Sequence, residues 1–590
     1  MEWKDLFRRK SLEILLDEMA GEHRLQRVLG PVALTSLGVG AIIGAGIFAI
    51  TGRVAAEDAG PAIVVSFAIA CLGCLLAAFC YAEFAAMAPV AGSAYTYTYA
   101  TLGELWAWII GWDLVLEYAM SCSVVAAHWS HYLEEFLYLS FGYQLPVGLL
   151  SDPFTPKFVD GQPVTTWINL PAVLIMAVIT GILVLGIRES AFTNALLVLV
   201  KLVVVLFVIV LGLNYVQTDH WTSVPVDQRR ISDVPDFLAE HPELVAQLPP
   251  GAVTGFTSGS ELLKKFPDHF AGMNQEEQQK IRQLKPEVQK WGVLSLLGIK
   301  HWLQPWDDKF RSPFMPYGLS GVMVGASLVF FSYIGFDSIS THAEEAIRPR
   351  RDVPLAILLS LVICTILYML VAAVITGMEP YPEIDTEAAI AAAFRRRATA
   401  ESSWWLSASA WLISVGALAG MTSVLLVTFL SQARIFLAMA RDGLLPHSIF
   451  GVVHPRFHTP HRSTLLTGVL ICLVAGLTPI RMLEEMVSIG TLMAFALVCG
   501  SVLMLRWTRP DAERPFRCPL VWVVAPAGVL VNLVMMAFLP IDTWLRLVIW
   551  LALGLALYFV YGVHHSRLGH QLQRQLQQQG VSPTDAPLES

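Results

Sequence analysis

Charge is scarce in this chain. Only 15 % of its 590 residues are Asp, Glu, Lys or Arg, against 55 % apolar, whereas soluble domains carry about 25 % charge. Polar linkers, which would divide a soluble chain of this length into domains, are also missing. Apolar runs of about 20 residues recur instead from residue 30 to residue 563, and runs of that length read as membrane-spanning helices. A soluble enzyme, a secreted disulfide scaffold and a disordered chain are thereby excluded. A β-barrel is excluded too, because its spans would be about 10 residues of alternating polarity.

Cysteine is sparse and badly placed for cross-linking. Cys71, Cys74, Cys80, Cys122, Cys364, Cys472 and Cys499 lie in apolar runs and Cys518 at the edge of one, so no disulfide framework is implied. Cys71-x-x-Cys74 has no second Cys or His pair beside it and reads as packing. His128 and His131 are a metal pair by number alone, and no metal or cofactor is expected. No Gly-x-x-x-x-Gly-Lys-Ser/Thr occurs, so ATP drive within this chain has no support. No nucleophile–base set is visible in the apolar runs, which speaks against an enzyme; nothing suggests a nucleic-acid partner. Residues 1–29 are charged and amphipathic, and the first apolar run is too long for a signal-peptide core.

What is present is a series of twelve apolar spans, at about 30–52, 62–88, 104–137, 168–186, 193–214, 319–340, 352–377, 403–439, 462–479, 483–505, 520–540 and 543–563. The fold class expected is an all-α membrane protein. Lys and Arg set orientation. With the N-terminus inside, the inner segments carry 20 of them and the short outer loops six: Arg53, Lys157, Arg395, Arg396, Arg397 and Arg481. Both termini are therefore expected in the cytoplasm and the chain in the cell (inner) membrane, with the 395–397 triplet as the main dissent.

Residues 215–318 stand apart at 23 % charge, against 13 % for the rest. This block reads as an outer hydrophilic insertion with short helices at Ser258–Phe266 and Asn274–Leu284. It is either a surface elaboration or a lid or protein-partner site. The expected organisation is a cytoplasmic segment 1–29, a first repeat 30–214, the insertion 215–318, a second repeat 319–505, two further helices in 506–563 and a cytoplasmic tail 564–590.

Two spans are interrupted in matching places. The first holds Gly38, Gly40, Gly44 and Gly46 within nine residues, and each Gly costs about 1 kcal/mol relative to Ala inside a helix. Such a run serves close helix packing or an unwound segment, and unwound backbone at that depth is tolerated only beside a cavity or within protein. The sixth span is broken at Phe331-Ser-Tyr-Ile-Gly-Phe-Asp337. Spans one and six are equivalent if the chain is two five-helix repeats, and paired breaks of this kind point to a transporter site near the bilayer midplane. Half-helix ends offer N–H groups to a carboxylate and C=O groups to an ammonium, which suits a zwitterion.

GVGAIIGAGIF from Gly38 to Phe48, the stretch from Tyr81 to Ala119 beginning YAEFAAMAPVAGSAYTYTY, and FFSYIGFDSISTHAEEAIRPRRDVPLAI from Phe330 to Ile357 together resemble prokaryotic amino acid permeases. The branch is similar to the cationic amino acid transporter family of the amino acid–polyamine–organocation superfamily. The resemblance covers roughly residues 5–214 and 319–505 and implies a five-plus-five inverted repeat. It also implies that the backbone of Ile43, Gly44, Ala45 and Gly46 holds a substrate carboxylate, and that carbonyls of Phe331, Ser332 and Ile334 hold the α-ammonium. The Phe331 ring would cover the site from outside, and Met421 would wall the side-chain pocket.

Ionisable residues inside apolar runs are the remaining candidates. Lys201 sits in Ala195–Val210, otherwise wholly apolar, where an unpaired charge costs at least about 2.5–3.5 kcal/mol. A desolvated lysine can exchange a proton near neutrality, and the resemblance makes Lys201 a stand-in for a coupling sodium ion, hence a proton-coupling group. A fixed structural bridge is the alternative. Asp113 and Glu117 share a helix face; Glu117 is placed to pair with Lys201, to contact the substrate side chain, or to do both. Glu83 reads as a gate or packing residue near the inner end of span two, Asp337 as a cap for the second half of span six, and Glu344, Glu345, Arg348, Arg350 and Arg351 as an inner charge network or a solvated loop. The expected function is secondary amino acid transport coupled to protons, with the bilayer, protons and an amino acid as partners. An exchanger without net proton flux and a non-transporting amino acid receptor are the alternatives.

Overall fold

A computed structural model describes residues 10, 29–87, 93–155, 157–159, 162–186, 191–231, 233–249, 252–270, 272–273, 275–282, 284–341, 343, 346–457 and 459–570. Glu344, Glu345 and Arg188 lie outside them, as do most of 1–29 and the tail beyond residue 570. Among the described residues nine helical runs are long and apolar enough to cross a membrane, and three shorter apolar helices accompany them. The expected all-α membrane fold is what the structure shows, apart from a small hairpin pairing Lys157–Val159 with Gln162–Val164.

Numbered in chain order, helix one is Pro31–Ile42 followed after a break by 46–59, helix two Ile63–Met87, helix three Glu104–Phe141, helix four Leu170–Leu185 and helix five Ala191–Gly212. Helix six is Gly318–Val329, a tight turn Phe330–Tyr333 and a last turn Ser338–Thr341. Helix seven is Pro349–Met378, eight Trp404–Arg441, nine His461–Leu477, ten Ile480–Thr508, eleven Val521–Phe538 and twelve Ile541–Leu557. The two interrupted helices each head a group of five. Helix three packs along helix eight, two along seven, and four along nine.

Helix five shows how sequence sets these faces. Lys201, Val204, Val205 and Val208 follow the i, i+3, i+4, i+7 spacing of one helix face, and all are buried. Leu199, Val203, Leu206 and Val210 lie on the other side and stay exposed, as a lipid-facing surface does. The lysine is thus carried into the protein, away from lipid.

Two short helices had no clear sequence signal. Ser93–Thr101 links helices two and three, and Ala389–Ala400 links seven and eight. The second carries the dissenting arginines, two of which meet carboxylates. Arg395 pairs with Glu135 at 2.6 Å and Arg396 with Glu379 at 3.0 Å, while Arg397 donates to Met378 O and lies over the Tyr215 ring.

The block between helices five and six has its own small core of Val234, Phe237, Leu238, Leu262, Phe270 and Ile281. The expected short helices occur at Gly259–Lys265 and Gln275–Arg282, the first with a capping box from Ser258 and Glu261. Asp236 ties the block together, reaching Lys290 at 2.7 Å and Arg311 at 3.0 Å. Burial opposes ionisation of Asp236, but Lys290 and Arg311 outweigh it and hold the carboxyl below its usual range. Its stabilising effect is therefore present at neutral pH and lost as the carboxyl protonates on acidification. Asp236→Asn is expected to cost about 3–5 kcal/mol, read as faster proteolytic cutting within 233–311 at neutral pH, with the difference from the native chain shrinking in acid.

Candidate functional site

Helix one stops because Ile43 turns extended, at φ −72° and ψ 105°. The carbonyls at the end of its first half lose their place in the helical ladder and carry the negative end of the helix dipole. Two neighbouring helices supply donors. The Lys201 ammonium donates to Gly40 O and, at 3.2 Å, to Ile43 O. The Tyr368 hydroxyl of helix seven lies 2.8 Å from Ile42 O and 2.9 Å from Ser332 O, so it shares its proton between the breaks of helices one and six.

Helix six opens in the same layer. Gly335 takes φ +117°, a conformation that L side chains rarely adopt, and a Cβ there would meet Ala41 C at 2.9 Å. From the other side, a Cβ on Gly46 would stand 2.6 Å from Ser332 Cα. The two breaks are pressed backbone to backbone, and glycine is what permits it. Helix eight backs them: a Cβ on Gly44 would meet Val424 at 2.9 Å, and one on Gly420 would lie 3.5 Å from Lys201 Cβ.

The expected site residues fall around this layer. Ile43 to Gly46 form the break itself, and the second half-helix starts at Gly46 with its first amides unclaimed by its own turns. Phe331 and Ile334 are buried in the second break, where Phe331 O accepts from Ile334 N. Ser332 O is taken by Tyr368, yet a carbonyl keeps a second lone pair, and Ser332 Oγ is buried without a partner. Met421 is wholly buried one residue beyond Gly420.

The acids divide by their bonds. Asp337 is committed to the break: its carboxylate accepts from Tyr118 OH at 2.6 Å and from Gly335 N at 3.2 Å, which holds the turn as well as any cap. Glu117 is buried and, among the described residues, neither of its oxygens has a hydrogen-bond partner. The Thr491 hydroxyl beside it donates to Val487 O instead. Glu117 therefore forms no pair with Lys201, and its carboxyl remains available. Asp113 is likewise buried and unpartnered, facing Gly490 of helix ten.

Ion pairs close the layer on both sides. Toward the insertion, Arg53 of helix one reaches Glu484 at 3.0 Å, and Glu484 also holds His128 at 2.8 Å. Toward the start of helix one, Glu83 is clamped by Arg506 at 2.6 Å and Arg514 at 3.2 Å and accepts from Cys518 N. Arg350 meets Glu513, with both side chains exposed, an arrangement that contributes little. Sequence reasoning missed Tyr368, Arg53 and Glu484. Tyr368 lies in an apolar run like any packing tyrosine, and Glu484 stands 356 residues from His128. The one signal was charge: Arg53 and Glu484 both sit at the edges of apolar runs.

A profile of the amino acid permease family matches residues 29–260 and 288–558. This chain belongs to that family. It is 36 % identical over 563 residues to the methylthioribose transporter of Bacillus subtilis and 37 % identical over 566 residues to that organism's branched-chain amino acid permease BcaP. Each of those alignments covers 95 % of this chain and 99 % of the relative. It is also 34 % identical over 509 residues to the vacuolar cationic amino acid transporter 4 of Arabidopsis thaliana, covering 86 % of this chain and 68 % of that one. The permease is a multi-pass membrane protein and a transporter rather than an enzyme, and its kinship lies in the cationic amino acid transporter-like branch.

Tyr368→Phe leaves the Ile42 and Ser332 carbonyls without their shared donor. The expected cost is about 1–3 kcal/mol, seen as a lower melting temperature of the detergent-solubilised permease. Gly46→Ala is expected to lower it as well, by driving a methyl group into the Ser332 backbone.

Proposed function

We propose that this permease carries amino acids by proton-coupled symport with alternating access. The observation that carries the reading is the pair of bonds from Lys201 to Gly40 O and Ile43 O. Only the charged ammonium offers three donors to these carbonyls, so its protonation state biases which arrangement of the helix-one break is favoured. A coupling ion can drive a conformational cycle only through such a difference between states. The amides of Gly44, Ala45 and Gly46 bind the substrate carboxylate, while Ile43, whose own N–H is taken by Val39 O at 3.0 Å, sets the turn; the carbonyls of Phe331, Ser332 and Ile334 bind the substrate ammonium. Phe331 closes the site from the insertion side. Glu83, fixed by Arg506 and Arg514, belongs to the gate at the opposite end.

All twelve apolar helices cross the cell membrane in this reading, with both termini in the cytoplasm and the insertion outside. The arginines at 395–397 count against it, but the 20 Lys and Arg of the inner segments outweigh the six of the outer loops. The side-chain pocket joins the apolar wall at Met421 to the unpartnered Glu117. Ionised, Glu117 suits a cationic side chain; protonated, a neutral one. The named relatives handle branched-chain or cationic amino acids or methylthioribose, so a thermal-shift screen of the 20 amino acids at two pH values identifies the class carried here.

Lys201→Ala is expected to abolish uptake driven by a pH gradient in proteoliposomes. Lys201→Arg keeps a charge that cannot be given up and is expected to retain substrate exchange while losing gradient-driven accumulation. Full accumulation by either variant contradicts proton coupling through Lys201.

A further inference from the structure

We propose that one face of the insertion lies in the membrane surface, as an interfacial helix that seats the block in the leaflet beside helix six. The helix Lys300–Phe310 presents Trp302, Trp306 and Phe310 at i, i+4 and i+8. They are 82 %, 59 % and 48 % exposed, and Leu296 and Leu297 just before them are 50 % and 65 % exposed. Single exposed apolar residues need no explanation, but a contiguous aromatic and aliphatic patch on a polar block marks an interaction surface.

The opposite face of this helix is pinned to the protein. Asp307 is buried and accepts from Ser320 N at 2.6 Å and Ser320 Oγ at 3.0 Å, at the start of helix six. Lys300 pairs with Glu287 at 2.8 Å. The patch is thus held outward by its own anchors, a few residues before the chain enters the bilayer.

Its position commits it to lipid. The preceding helix Val288–Leu296 rests on the end of helix eleven, with Trp291 packed on Phe538 and Gly292 against Leu539 O. Helix eleven exposes Leu530, Leu533 and Val534 along its length, so the block rests at the end of a helix that has a lipid-facing side. Tryptophan concentrates at that depth because its ring is apolar and its N–H polar. Lys309, whose ammonium lies 5.9 Å from the Trp306 ring centre, is the cation that suits headgroup phosphates.

The test places bimane on Trp302→Cys in the full chain, reconstituted in phosphatidylcholine–phosphatidylglycerol vesicles. Labelling of the unsubstituted protein corrects for its eight cysteines. The bimane at 302 is expected to lose its emission to a nitroxide near the headgroup end of the acyl chain and to resist aqueous iodide. Bimane on Lys264→Cys, at an exposed polar site of the same block, is expected to behave in the opposite way. Iodide quenching at 302 equal to that at 264 overturns the proposal. So does protection from both quenchers, which means that protein covers the patch. Trp306→Cys repeats the measurement should the first variant fail to fold.

Discussion

The fold turns on backbone carbonyls that a membrane interior cannot solvate. Breaking helix one at Ile43 frees C=O groups where no bulk water reaches, and each unsatisfied group there costs several kcal/mol. Lys201 and Tyr368 meet that demand from helices five and seven. The lysine is itself too costly to leave in lipid. Break and lysine therefore stabilise each other: the carbonyls give the ammonium a polar cage, and the ammonium gives the carbonyls a donor. Helix eight passes this cage through glycine at Gly420.

The same economy explains what surrounds the layer. Tyr368 ties both breaks to one hydroxyl, so helices one and six are linked through the seventh. Arg53, Glu484 and His128 join helices one, ten and three on one side, and Glu83 with Arg506 and Arg514 joins helix two to the end of helix ten and the segment after it on the other. Removing one partner of a buried pair leaves a stranded charge, so each cluster favours the arrangement seen here. Glu117 and Ser332 Oγ lie between the clusters without partners, which is where polar groups meant for a ligand would wait.

Much of this was legible in the sequence because the informative residues violate their surroundings. Glycines packed into an apolar run marked the break at Ile43, and one lysine among valines and leucines marked the cage. What stayed hidden was pairing at long range. Tyr368 differs in nothing from a packing tyrosine until two broken helices converge on it. The carboxylates that meet Arg395 and Arg396 lie on helix three and just after helix seven, away from the arginines in sequence. Asp337 read as a simple cap, and its bond to Tyr118 depended on how helix three meets the second break.

The central claim is that the ammonium on Lys201 gives up its proton during the cycle. The most direct measurement follows the lumenal pH of proteoliposomes when a transported neutral amino acid is added outside with no gradient imposed. The account predicts that the lumen acidifies as substrate enters through the native permease. Entry of substrate with no change in lumenal pH would contradict it.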